Sequence, residues 1–142
     1  MKFALHFSLL LSVFNLCASC ASLVTLPSYT GPYYVEVRVE PIVVTDLGDR
    51  VTGPARVLVD APGATHVEIY LQPLDQPYSG KVIGDPKFLG KDKTPSDGFS
   101  IPWQADEPYD YVQIYAIAYG QSDVNYSRTS LPITILLDWR IK

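Results

Sequence analysis

The chain reads as an all-β protein, an antiparallel sandwich of about seven strands. Three observations carry that reading. Apolar and polar residues alternate at a period of two, as where Val35, Val37 and Val39 oppose Glu36, Arg38 and Glu40. Gly, Pro, Asn and Asp punctuate such segments at the spacing of a sandwich. No segment carries a convincing apolar repeat of 3.6 residues, so little helix is expected.

The 142 residues, 47% hydrophobic and 18% charged, are enough for one domain with its own core. A formal charge of −4 speaks against nucleic acid as a partner. The first element is a leader. Lys2 precedes an apolar run over residues 3–16, too short for a bilayer span and of the right length for a signal-peptide core. Small residues follow at Ala18, Ser19, Ala21 and Ser22, so residues 1–19 are set aside as a signal peptide.

Both cysteines fall at this cleavage region, which excludes a disulfide framework for the domain. Cys17-Ala18-Ser19-Cys20 resembles a bacterial lipobox, with Cys17 at the position usually held by an aliphatic residue. That resemblance implies lipidation of Cys20 and an anchor in the envelope. Ala21 and Ser22 lack an acidic retention signal, which implies the outer membrane. Ordinary cleavage after Ser19 or Ala21 would instead leave a secreted or periplasmic domain.

Residues 20–34 carry Pro27, Gly31 and Pro32 without a sustained period and are expected to form a tether, with the domain over residues 35–142. Pro41 has no N–H to donate and places the first strand, residues 35–40, at a sheet edge. Residues 42–45 are expected to resume it before a turn over residues 46–49. Further strands are predicted over residues 55–60, 66–71, 87–89, 99–103, 109–119 and 131–137. Residues 72–86 read as a long Pro- and Gly-rich insertion that would either stand clear or fold across a sheet face. Val112, Ile114, Ala116 and Ala118 should face the core with Phe99, Ile101 and Trp103. Tyr109 or Tyr111 is placed to make a corner hydrogen bond.

A family resemblance runs through these segments. His66-Val67-Glu68-Ile69-Tyr70, Phe88-Leu89-Gly90, Gly98-Phe99-Ser100-Ile101-Pro102-Trp103, Tyr115-Ala116-Ile117-Ala118-Tyr119 and Ile133-Thr134-Ile135 together resemble bacterial immunoglobulin-like domains. The resemblance covers half to two-thirds of the exported part. It implies an Ig-like sandwich, with fibronectin-like relatives, and binding, adhesion or scaffolding rather than catalysis.

Residues suited to catalysis are few. After the leader, His66 is the one histidine, and its neighbour Glu68 makes a surface pair a simpler reading than a Ser-His-Asp arrangement. One histidine without cysteine does not make a zinc site, and Gly80, Gly84 and Gly90 lack phosphate-loop spacing. Asp106, Glu107 and Asp110 cluster before the long strand but lack the spacing of a calcium loop, so a solvated acidic loop is preferred. No enzyme activity, metal or cofactor is expected. Asn125-Tyr126-Ser127 fits a glycosylation acceptor, relevant only in a eukaryotic source.

Tyrosine gives the candidate site. Tyr111, Tyr115, Ile117 and Tyr119 alternate with the core residues of the long strand, and Tyr70 shares the matching face of its neighbour with His66 and Glu68. A rigid apolar ring with a polar tip suits a contact surface. The face is expected to bind an envelope protein or, alternatively, a surface glycan, as in a small carbohydrate-binding module. A purely structural role as cross-strand aromatic pairs competes with both.

Overall fold

The computed structural model describes residues 31–77, 81–121 and 126–137. Residues 1–30, where the sequence predicts a signal peptide and lipidation of Cys20, lie outside them, as does Asn125. Ten strands occur in the described residues: β1 (Glu36–Glu40), β2 (Val43–Thr45), β3 (Gly48–Val51), β4 (Ala55–Asp60), β5 (His66–Leu74), β6 (Lys87–Asp92), β7 (Phe99–Trp103), β8 (Tyr111–Tyr119), β9 (Ser127–Thr129) and β10 (Ile133–Leu137). One 3₁₀ turn, Pro95–Asp97, joins β6 to β7. The all-β class is as expected.

The strands form a three-stranded sheet in the order β1-β4-β7 and a seven-stranded sheet in the order β2-β3-β10-β8-β5-β6, with β9 also paired to β8. Every pairing is antiparallel except the short one between β3 and β10. Alternation explains the core between the sheets. Val57, Val67, Ile69, Val112, Ile114, Ala116, Ala118 and Ile135 are wholly buried, and Phe99, Ile101 and Trp103 are nearly so. Each buried Val, Ile or Leu contributes roughly 1.5–3 kcal/mol. The Ala116 and Ala118 positions keep the inner face of β8 low, which favours close approach of the sheets.

Pro41 does more than mark an edge. β1 is indeed the edge of the smaller sheet, but residues 43–45 do not resume it: past Pro41 the chain crosses over and β2 joins the larger sheet. The turn at Asp46 and Leu47 closes a β2–β3 hairpin. Neither β3 nor β9 is apparent in the sequence, since their four and three residues are too few to establish a period.

At the far edge of the smaller sheet, the backbone N–H of Ser100 donates to Asp92 Oδ2 at 2.8 Å instead of to β4. Pro102, two residues on, points the same way and has no N–H. The outward donors of β7 are thereby satisfied or absent.

Residues 72–74 belong to β5, so the insertion begins later than expected. Pro73 is tolerated inside the strand because its carbonyl, and with it the missing N–H, faces Ile83 (N to O 3.1 Å) and not β8. Val82 bridges Leu74, and Asp75 N–H reaches Lys81 O at 3.2 Å. The described part of this arm therefore extends alongside β5 in line with β6, and does not lie across the central tyrosines.

Residues 31–34, placed in the tether by the sequence, rest on the domain. Pro32 is fully buried, Tyr33 N–H donates to Pro62 O at 3.1 Å, and Tyr34 Oη donates to Asp60 Oδ2 at 2.7 Å. The corner hydrogen bond is absent: neither the Tyr109 nor the Tyr111 hydroxyl has a partner in the described residues, and Tyr109 packs its ring on the core.

Candidate functional site

The outer face of the larger sheet carries the predicted tyrosines. Antiparallel register between β5 and β8 sets Tyr70 opposite Tyr115, His66 opposite Tyr119, Glu68 opposite Ile117 and Gln72 opposite Gln113. Tyr70, Tyr111, Tyr115, Ile117 and Tyr119 are all half-buried.

The rings pair across the strands. Tyr70 and Tyr115 stack at 5.5 Å between centroids and 14° between planes, and His66 and Tyr119 at 4.6 Å and 10°. Each of these four rings thus turns a face onto its partner across the strands. Phe88 on β6 tilts against Tyr70 at 5.5 Å and 58° and is 52% exposed.

Glu68 organises the polar part. Its Oε2 accepts hydrogen bonds from the Tyr70 and Tyr119 hydroxyls, both at 3.0 Å, and its Oε1 accepts one from Lys91 Nζ at 3.2 Å. Lys91 Nζ also lies 6.0 Å from the Tyr119 ring centroid. Burial alone would raise the Glu68 pKa, but the donors from Lys91, Tyr70 and Tyr119 outweigh it and hold the carboxyl below its ordinary range. Burial first, and then the hydrogen bond to Glu68, push the Tyr70 hydroxyl up to about 12, and Tyr119 is raised for the same two reasons.

Phe88 and Lys91 are the members of this face that the sequence reading missed. Strict alternation cannot put residues three apart on one side. The register shifts between Ile69 and Tyr70, so that Glu68 pairs with Lys91, Ile69 with Gly90 and Tyr70 with Phe88. Leu89 is the extra residue of a β-bulge, and it and Gly90 both turn inward. Leu89 packs on the core, and a Cβ on Gly90 would lie 3.4 Å from Ile101 side-chain atoms. A glycine beside an apolar residue was the available signal.

Tyr111 stands apart from the other tyrosines. It pairs with Leu74 and Leu136 and, with Leu47, Asp49, Pro77 and Thr134, lines a separate cleft of about 220 Å³.

The acidic loop has a structural use. Glu107 is 8% exposed and receives Lys87 Nζ at 2.6 Å, which ties the loop before β8 to β6. Three metal-ligating side chains do not converge anywhere in the described residues. His66 is half-buried, stacks on Tyr119, and its Nδ1 lies 3.2 Å from Thr65 Oγ1.

Fold and face together define a two-sheet β protein with an aromatic surface organised around one carboxylate. No protein-family model matches the chain, and neither a curated protein nor a solved structure matches it.

Proposed function

We propose that the chain is an exported, non-catalytic Ig-like module of a bacterial envelope, anchored through a lipid on Cys20, that binds a protein partner by the outer face of its larger sheet. The leader and the lipobox-like Cys17-Ala18-Ser19-Cys20 support export and anchoring. Two facing sheets, the buried Trp103 and the inward alanines of β8 support the Ig-like reading.

One observation favours protein over glycan at the face: the rings are stacked on one another across the strands. Sugar rings stack on aromatic faces that lie open, whereas Tyr70, Tyr115, His66 and Tyr119 each turn a face onto a neighbour. With them, a half-exposed Phe88 and the half-buried Ile117 make a mixed apolar strip of the kind protein contacts use.

Phe88→Ser and Tyr115→Ser variants of the full chain, expressed in the native host and co-purified with envelope proteins, test this. Loss of a partner that the wild type retains, with an unchanged circular dichroism spectrum, is the expected result. Retention of the partner by both variants, or specific binding to a glycan array that both abolish, would overturn it.

A further inference from the structure

We propose a second contact surface, independent of the tyrosine face: the open edge of β2 and the shallow depression beside it take an extended polypeptide segment of a partner protein, apolar in its middle and basic at its ends. The other edges in the described residues are protected in recognisable ways. β1 carries Glu36, Arg38 and Glu40 and ends at Pro41, β7 has Pro102 and the Asp92 carboxylate on its Ser100 N–H, β6 carries Lys87, Lys91 and a bulge, and β9 is three residues long with Arg128 at its centre.

β2 is short, three residues, but holds no charge, proline or bulge within it. It is the terminal strand of the larger sheet, and its Val43 and Val44 are 54% and 77% exposed, with Leu47 of the adjoining turn at 61%. Successive exposed valines mean that both faces of the strand are open as well as its edge.

A shallow depression of about 720 Å³, wide open to solvent, lies at the start of the strand, lined by Glu40, Pro41, Ile42, Pro54, Ala55 and Arg56. Ile42 is shared: it lines the depression and leads directly into Val43. An unpaired edge next to an apolar recess is the arrangement by which sheets bind extended peptides, with backbone hydrogen bonds for affinity and a recess for one side chain.

Charge selects the occupant. Glu40, Asp46 and Asp49 are exposed around this edge and make no ion pair in the described residues. These three carboxylates outnumber the two cations nearby, Arg56, which donates to Ser100 Oγ at 2.6 Å, and Arg50, opposite Val43. A segment with lysine or arginine flanking its apolar centre meets complementary charge, and an acidic one is repelled.

The test is a titration of the ¹⁵N-labelled full chain, held in zwitterionic detergent, with a synthetic peptide of alternating valine and threonine between terminal lysines, and with its glutamate-ended counterpart. Amide shifts at Glu40, at residues 42–45 and at Ala55 and Arg56, slowed exchange of the β2 amides and about tenfold weaker binding of the glutamate peptide are expected. Val44→Lys, at an exposed position that leaves the fold intact, should weaken the lysine peptide about as much. Shifts confined to the tyrosine face, none at millimolar peptide, or equal binding of the two peptides would overturn the proposal. So would β2 shifts that follow protein concentration alone, which would assign the edge to a second copy of the chain.

Discussion

At Gly63 two demands coincide in one residue. Its φ is +86°, and a Cβ there would lie 2.6 Å from the Gly31 carbonyl oxygen. Left-handed backbone costs a non-glycine residue about 1–2 kcal/mol, and displacing the docked residues 31–34 adds to that. Gly63→Ala should therefore destabilise by about 2–3 kcal/mol in urea denaturation. Glu68 makes a pH-dependent contribution. Its pKa is lower when folded, so its stabilisation is present above the unfolded carboxylate pKa of about 4.3 and lost as pH falls through the folded value. Asp92 is shifted in the same direction; burial opposes the shift, and the N–H groups of Ser100 and Thr94 outweigh it. Glu68→Gln should cost about 1–2 kcal/mol at neutral pH and flatten the acid limb of a pH–stability curve, leaving the part due to Asp92. Tyr70 acts at the other end of the scale. Raised to about 12, it favours the fold fully below pH 10 and loses that contribution as pH rises toward 12, which ultraviolet titration of the phenols would follow.

At the scale of elements, β8 supports both the core and the face. Ala116 and Ala118 are 0% exposed, so a leucine at either position has no space and should cost about 1–3 kcal/mol, measured as a lower urea midpoint. Strands of five or more residues with one buried side were legible from alternation, including β1, β4, β5, β7 and β8. Three features were not. β2 changes sheet after Pro41 because a missing N–H ends a ladder without saying where the chain goes next. β3 and β9, of four and three residues, are too short to show a pattern of their own. The β6 bulge reverses the facing of residues after Phe88, and only the partner strand fixes where that happens. The tyrosine row itself was readable because β8 keeps strict alternation through nine residues, but its ring stacking and the role of Glu68 depend on register across the sheet.

For the whole molecule, the smaller sheet faces solvent with charged and polar residues on β1 and β4, while the larger sheet presents Tyr70, Phe88, Tyr115 and Ile117. That difference is what a one-sided binding module requires. Phe88 separates recognition from stability, since it is 52% exposed: Phe88→Ser should change stability by less than about 0.5 kcal/mol while removing the partner. Tyr115→Ser should remove the partner too and also cost about 1 kcal/mol through the lost stack on Tyr70. The most direct measurement places a photo-crosslinking amino acid at position 88, or at the exposed Arg38 of the smaller sheet, in the native host. A single protein adduct formed from position 88, absent from position 38 and abolished by Tyr115→Ser, is the expected result. Adducts of equal yield from both positions, or none from position 88, would contradict the assignment of the larger sheet's outer face as the binding surface.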